Sequence, residues 1–203
     1  MMILRSAPAS PFARKVRMAL IILGLEKQVD IQGADTQAEG DSIRVQNPLG
    51  KIPTLVTEDG ESWYDSRVIV EYLDAHAGGG KIIPKDSKTR LEALRMMALA
   101  DGGSDASLLM IYEGRYRQPD KHEPKWVALQ QGKVDRVLTA LESNPPAITN
   151  PPHVGQLAVA SLLGYQDFRF DGKWRAKYPK LVAWLDSFAA KVPAFEATKA
   201  PPQ

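Results

Sequence analysis

Three consecutive glycines, Gly78-Gly79-Gly80, divide the chain into two kinds of pattern, and that division limits the folds open to it. Before them, short β-branched or apolar runs alternate with segments of helical spacing. After them nearly every apolar-periodic stretch is helical. A chain that alternates and then stops alternating reads as a small α/β unit joined to a helical one. Glycines followed by Ile82-Ile83-Pro84 read as the junction, so the expected division is 1–78, a linker over 79–86 and a helical unit over 87–203. An α/β unit of this size is at the edge of independent stability and should pack tightly on its helical neighbour.

In the first unit, Met2-Ile3-Leu4-Arg5 reads as a buried strand. Ser10-Pro11 opens a helix with Phe12, Val16, Ala19, Leu20 and Leu23 at 3–4 residue intervals, and Gly24 ends it. The charged positions Arg14, Lys15 and Arg17 read as its solvated face, with Arg14 orienting substrate or steadying an anion as the alternative. Val29-Asp30-Ile31 is a second strand, and 38–46 is weakly helical up to the Asn47-Pro48-Leu49-Gly50 break. Thr54-Leu55-Val56 and Glu61-Ser62-Trp63 flank the turn dipeptide Asp59-Gly60, and a helix follows from Ser66 to about His76. Further helices are expected over 87–116, 124–141, 154–166 and 179–191. Gly102-Gly103 lies inside the first of these, marking either close helix packing or a kink.

Composition narrows the chemistry. The chain has 203 residues, 44% hydrophobic and 25% charged, with a net charge of +2 and both signs interspersed. That is the balance of a globular protein with no basic field for nucleic acid or anionic lipid. No apolar run approaches the ~18 residues of a membrane span. The N-terminus lacks the long apolar region of a signal peptide, so a cytoplasmic location is expected. Cysteine is absent, which removes disulfides, thiolate nucleophiles and thiolate metal sites. His76, His122 and His153 lack metal-ligand spacing, so no metal is expected.

Two stretches could hold a small peptide. Pro53 begins a strand, where its missing N–H is tolerable. A cis Ile52-Pro53 bond would turn the N–H and C=O of Ile52 outward. Asp65-Ser66 begins a helix, whose unpaired N–H groups and positive dipole end suit a carboxylate.

Ser10-Pro11-Phe12-Ala13-Arg14-Lys15-Val16-Arg17, Asn47 to Pro53, Asp65-Ser66 and Gly164-Tyr165-Gln166-Asp167-Phe168-Arg169 together resemble the cytosolic-type glutathione transferases, bacterial members included. The resemblance spans the chain and implies a thioredoxin-like N-terminal domain with an all-helical C-terminal domain. It implies that Pro53 is the cis-proline and that Ile52 pairs through its backbone with the cysteinyl part of glutathione. Asp65 and Ser66 would hold the γ-glutamyl end, Lys51 the glycyl carboxylate, and Phe12 a further glutathione contact. Such enzymes place Tyr, Ser or Cys near the end of the first strand to stabilise the thiolate. With no Cys, and Tyr64 the first Tyr, Ser6 and Ser10 remain; Ser10 is preferred because Pro11 fixes it at a helix start. Ser10 as a helix cap alone is the alternative.

The implied co-substrate is glutathione and the implied partner a small electrophile, with a homodimer expected. Met97, Asp101, Leu108, Tyr112 and Arg115 are the candidate acceptor pocket. A non-catalytic glutathione-binding or chaperone-like protein is the competing function, and peroxide reduction a third. His153-Val154-Gly155-Gln156 stands where the family has a Ser/Thr-x-x-Asp capping box.

Overall fold

The computed structural model describes residues 1–202. Its first part is a four-stranded mixed sheet in the order β2-β1-β3-β4, with β1 (Met2–Ser6) parallel to β2 (Val29–Gly33). Strands β3 (Thr54–Val56) and β4 (Ser62–Trp63) run antiparallel to their neighbours. Helices α1 (Pro11–Leu23), α2 (Ile43–Gln46) and α3 (Ser66–His76) connect and cover these strands. The region 38–46 is helical only in its last turn, α2. Asp35 and Asp41 fold the residues before it into turns that accept backbone N–H groups.

The second part is helical: α4 (Ser87–Tyr116), α5 (Pro124–Ser143), α6 (Val154–Arg169), α7 (Pro179–Lys191) and α8 (Pro193–Ala197). Helix α6 is its axis, buried from Val154 to Gln166 on all sides. A helix apolar all round must lie inside the protein. The capping box at its start is formed with a histidine. His153 Nδ1 accepts from the Gly155 N–H at 3.2 Å, and Gln156 Oε1 accepts from the His153 N–H at 3.0 Å.

Gly102-Gly103 does not break α4, which is continuous. A Cβ on Gly103 would lie 2.9 Å from Leu162 and 3.3 Å from Val137, so close packing explains that glycine; Gly102 has open space. The segment expected as a linker is tied down. Asp74 accepts from the N–H groups of Gly80, Lys81 and Ile82 at 2.7–2.9 Å. Ile82 and Ile83 are buried, and Ile82 O accepts from the Val154 N–H at 2.8 Å. Helix α1 packs on both α3 and α6, and one apolar core runs through both parts. The tight packing expected of two small halves is therefore present.

The charged face assigned to α1 is wrong for two of its three residues. Arg14 and Lys15 are 7% and 1% exposed, because the helical part covers the side of α1 on which they lie. Lys15 Nζ meets both oxygens of Asp101 on α4, at 2.6 and 2.8 Å. No helix among the described residues is long and apolar enough to cross a membrane, and no group of three or more His, Asp or Glu among them could hold a metal ion.

Candidate functional site

Three loops meet at one end of the sheet. Arg5 of β1 is opposite Thr54 of β3, and Leu55 is opposite Trp63 of β4. The residues following β1, preceding β3 and following β4 therefore emerge together. They carry Ser10, Ile52-Pro53 and Asp65-Ser66.

Ser10 caps α1 with extended backbone, and its Oγ accepts from the Ala13 N–H at 3.2 Å. That bond uses a lone pair and leaves the hydroxyl proton to donate. Pro11 occupies the first helical position, where a missing N–H costs nothing. Phe12, next along, is half-buried.

The Ile52–Pro53 bond is cis, as are Tyr64–Asp65 and Asn150–Pro151. Buried Asn47 organises the loop ahead of Pro53. Its Nδ2 donates to Lys51 O at 2.9 Å and to Thr54 Oγ1 at 3.2 Å, while its Oδ1 accepts from the Leu49 N–H at 3.0 Å. Gly50 supplies the left-handed turn at φ +59°. The ladder of β3 begins only at Thr54, so the backbone of Ile52 takes no part in it. Lys51 is exposed and Ile52 half-buried.

Asp65 caps α3. Its Oδ1 accepts from the Arg67 N–H at 2.9 Å, and its Oδ2 pairs with the Arg67 guanidinium at 2.7 Å. Partial burial pulls the Asp65 carboxyl upward, but the hydrogen bonds and charge of Arg67 hold it below its ordinary value. Ser66, the first helical residue, is buried at the helix start. Below lies the Lys15–Asp101 pair. Burial pushes the ammonium down and the carboxyl up, and each is the other's chief compensation.

The expected acceptor residues differ in exposure. Met97 is buried in the core, and both oxygens of Asp101 are taken by Lys15. Leu108 and Tyr112 are half-buried, and Arg115 is exposed with its guanidinium over the Tyr112 ring at 5.4 Å. None of the five lines the cavity of about 560 Å³ that opens beside Ser10. Its walls come from Pro8 to Arg14, the second half of α6, Arg175 and residues from Leu185 onward. Ser161 is a polar group there that sequence reasoning missed, and Arg14 lies there rather than on a solvated face. The available signal was Gly164, where a Cβ would lie 2.1 Å from Arg14 Nη1.

A mixed β2-β1-β3-β4 sheet bearing a cis-proline before its third strand, packed on a helical half around a buried central helix, is the glutathione transferase fold. Residues 9–76 match the family model for the glutathione S-transferase N-terminal domain, and residues 124–187 match that for its C-terminal domain. The chain belongs to the glutathione S-transferase family. It is 31% identical over 196 residues to the uncharacterized GST-like protein YibF of Escherichia coli K12, covering 95% of each chain. A glutathione transferase family member from Pseudomonas fluorescens Pf-5, solved with bound glutathione, superposes with a TM-score of 0.91 at 37% identity, over 99% of this chain and 100% of that one. A second structure of a family member from that organism holds S-(propanoic acid)-glutathione, with a TM-score of 0.86 at 38% identity over the same shares. A glutathione S-transferase from Methylobacillus flagellatus KT with glutathione bound gives 0.91 at 32% identity, again over 99% and 100%.

Proposed function

We propose that this chain is a glutathione transferase in which the Ser10 hydroxyl, at the start of α1, stabilises the glutathione thiolate for attack on a small electrophile. The observation that carries this is the hydrogen bonding of Ser10: its Oγ accepts from the Ala13 N–H and keeps its proton for a ligand. A free thiol has a pKa near 8.5, and lowering it by two units takes about 2.7 kcal/mol of preference for the anion. A hydroxyl donor together with a helix N-terminus supplies stabilisation of that order.

The remaining roles are those the family resemblance implies, and the meeting of the three loops supports them. Ile52, ahead of cis-Pro53, pairs through its backbone with the cysteinyl unit. Ser66 takes the γ-glutamyl carboxylate with its N–H and hydroxyl, Asp65 lies by the ammonium, and Lys51 reaches the glycyl carboxylate. Phe12 packs against the peptide. In the reaction the sulfur bonds to the electrophilic carbon, the leaving group departs with its electron pair, and the thiol proton goes to solvent. The S-substituted glutathione held by the Pseudomonas relative is a compound of the kind such a reaction forms. A homodimer fits the apolar side chains left exposed on α3 and α4, Val68, Leu91 and Leu99. Sedimentation should give twice the 22.4 kDa chain mass.

The recorded bond of Ser10 is also what a plain cap makes, which favours a glutathione-binding protein without turnover as the second reading. Conjugation of 1-chloro-2,4-dinitrobenzene by wild type and Ser10→Ala separates the two. The variant should lose about 10²-fold in kcat/KM, as loss of one oxyanion donor does elsewhere, while still binding glutathione. Equal turnover by both proteins would reduce Ser10 to a cap; no turnover by wild type would favour the binding protein.

A further inference from the structure

The cavity beside Ser10 has a size suited to a small organic ligand, and two of its polar groups lack ordinary partners. Arg14 is buried, yet no carboxylate of the described residues forms an ion pair with it. Its Nη2 donates to Phe195 O at 2.8 Å, its Nε to Thr198 Oγ1 at 3.4 Å, and its plane lies 4.1 Å from the centre of the Phe195 ring. Nη1 lies against the bare backbone of Gly164, the one residue type that leaves it room.

The acidic side chains around the cavity are engaged with other cations. Asp167 binds Arg175 at 2.7–2.8 Å, Asp186 lies 3.9 Å from the same guanidinium, and Glu196 lies 3.7 Å from Lys199. Burial, and next the charge of Arg17, lower the Arg14 pKa to about 10, against the opposing pull of the Glu196 and Asp167 charges. The second group is Ser161, 2% exposed, whose Oγ has no hydrogen-bond partner among the described residues. A buried hydroxyl left unpaired is unfavourable, and a ligand that bonds to it relieves that cost. Tyr165, Leu185 and Phe195 supply apolar wall.

We propose that this cavity is the acceptor site and that it selects an electrophile with an apolar body and a carboxylate, the anion meeting Arg14 and Ser161 while the carbon under attack faces Ser10. The proposal rests on the transferase reading and adds the substrate class to it. With 4-chloro-3-nitrobenzoate, the sulfur–carbon bond forms at the ring carbon bearing chlorine. The carbon–chlorine bond breaks, chloride leaves with the electron pair, and the thiol proton goes to solvent.

Calorimetric titration of the intact chain with two unreactive probes of one shape, 4-nitrobenzoate and 4-nitrobenzamide, tests the anion site without turnover. The acid should bind at least about tenfold more tightly, as expected for a charge-assisted hydrogen bond in a dry site. Ser161→Ala should cut that preference by about threefold or more, and Arg14→Met should abolish it. Arg14 also anchors the last turn of the chain, so Ser161→Ala decides the matter if Arg14→Met does not fold. Equal affinity for the two probes, or a preference untouched by Ser161→Ala, overturns the proposal. Turnover of 1-chloro-2,4-dinitrobenzene with no preference for the acid in titration would leave the transferase reading standing and this one fallen. The reverse pattern would keep the anion site and remove the transferase reading.

Discussion

Replacing Asp101 by Asn leaves the Lys15 ammonium 1% exposed and without its counter-ion. Breaking one side of a buried pair costs about 3–5 kcal/mol. An independent ceiling comes from the lysine itself, which can shed its proton. Neutralising a side chain of ordinary pKa 10.4 at pH 7 costs about 1.36 kcal/mol for each of 3.4 pH units, or about 4.6 kcal/mol. At pH 9 the same route costs about 1.9 kcal/mol. The variant's Lys15 has a folded pKa pushed below its unfolded value, so the unfolded chain binds more protons and stability rises with pH. The penalty should therefore be about 3–4.6 kcal/mol at pH 7 and shrink by about half at pH 9. With a urea slope near 3 kcal/mol/M, the midpoint should fall by about 1–1.5 M at neutral pH. Urea unfolding at both pH values measures this, and the double variant Lys15→Met, Asp101→Leu should recover most of the loss. A midpoint shift under about 0.3 M, or a penalty indifferent to pH, would show that the pair is not desolvated as its burial indicates.

Burial lowers the pKa of His153, whose Nδ1 must stay unprotonated to accept from Gly155. Wild type should lose stability as pH falls below about 6.5 and level off below the depressed folded value. His153→Ser should remove that slope and stabilise by about 0.5–1 kcal/mol; a lower melting temperature at pH 6 would contradict it. Gly155→Ala places a Cβ 2.6 Å from Ala93 O and 2.8 Å from Met96 Cβ, so α4 and α6 must separate. It should cost about 1–3 kcal/mol, whereas Gly102→Ala, in open space on the same pair of helices, should gain about 0.5–1 kcal/mol. Thermal melts of the two would show opposite signs. Asp74→Ala strips the acceptor from three N–H groups of the junction. Limited proteolysis should then cut near Gly80 faster than in wild type, and an unchanged rate would count against the Asp74 tether.

Element order was legible because it depends on local signals. Pro11 after Ser10, Gly24 at φ +71°, the Asp59-Gly60 turn and the start of α3 at Ser66 all stand where periodicity and caps put them. Ile52-Pro53 was legible for the same reason: only an X-Pro bond turns the chain there cheaply. Side-chain partners across the two parts were not. Lys15 finds Asp101 eighty-six positions away, and Arg14 finds Phe195 at a distance of 181. A charged trio on a helix looks the same from within that helix whether it faces water or a second domain. The surroundings of Met97 and Asp101 were hidden for a related reason. Spacing along α4 puts them on one face but does not show that α1 and α6 pack there.

The hold of Arg14 on Phe195 and Thr198, with Arg17 Nη2 on Thr198 O, also sets an order on folding. Helix α1 carries Ser10, yet the guanidinium of Arg14 on that helix lacks these acceptors until residues 195–198 have been made. A nascent chain stopped before them can pair its strands and seat α1 on α6, but it leaves Arg14 without Phe195 O and Thr198 Oγ1. The surroundings of Ser10 are thus completed by residues made long after it.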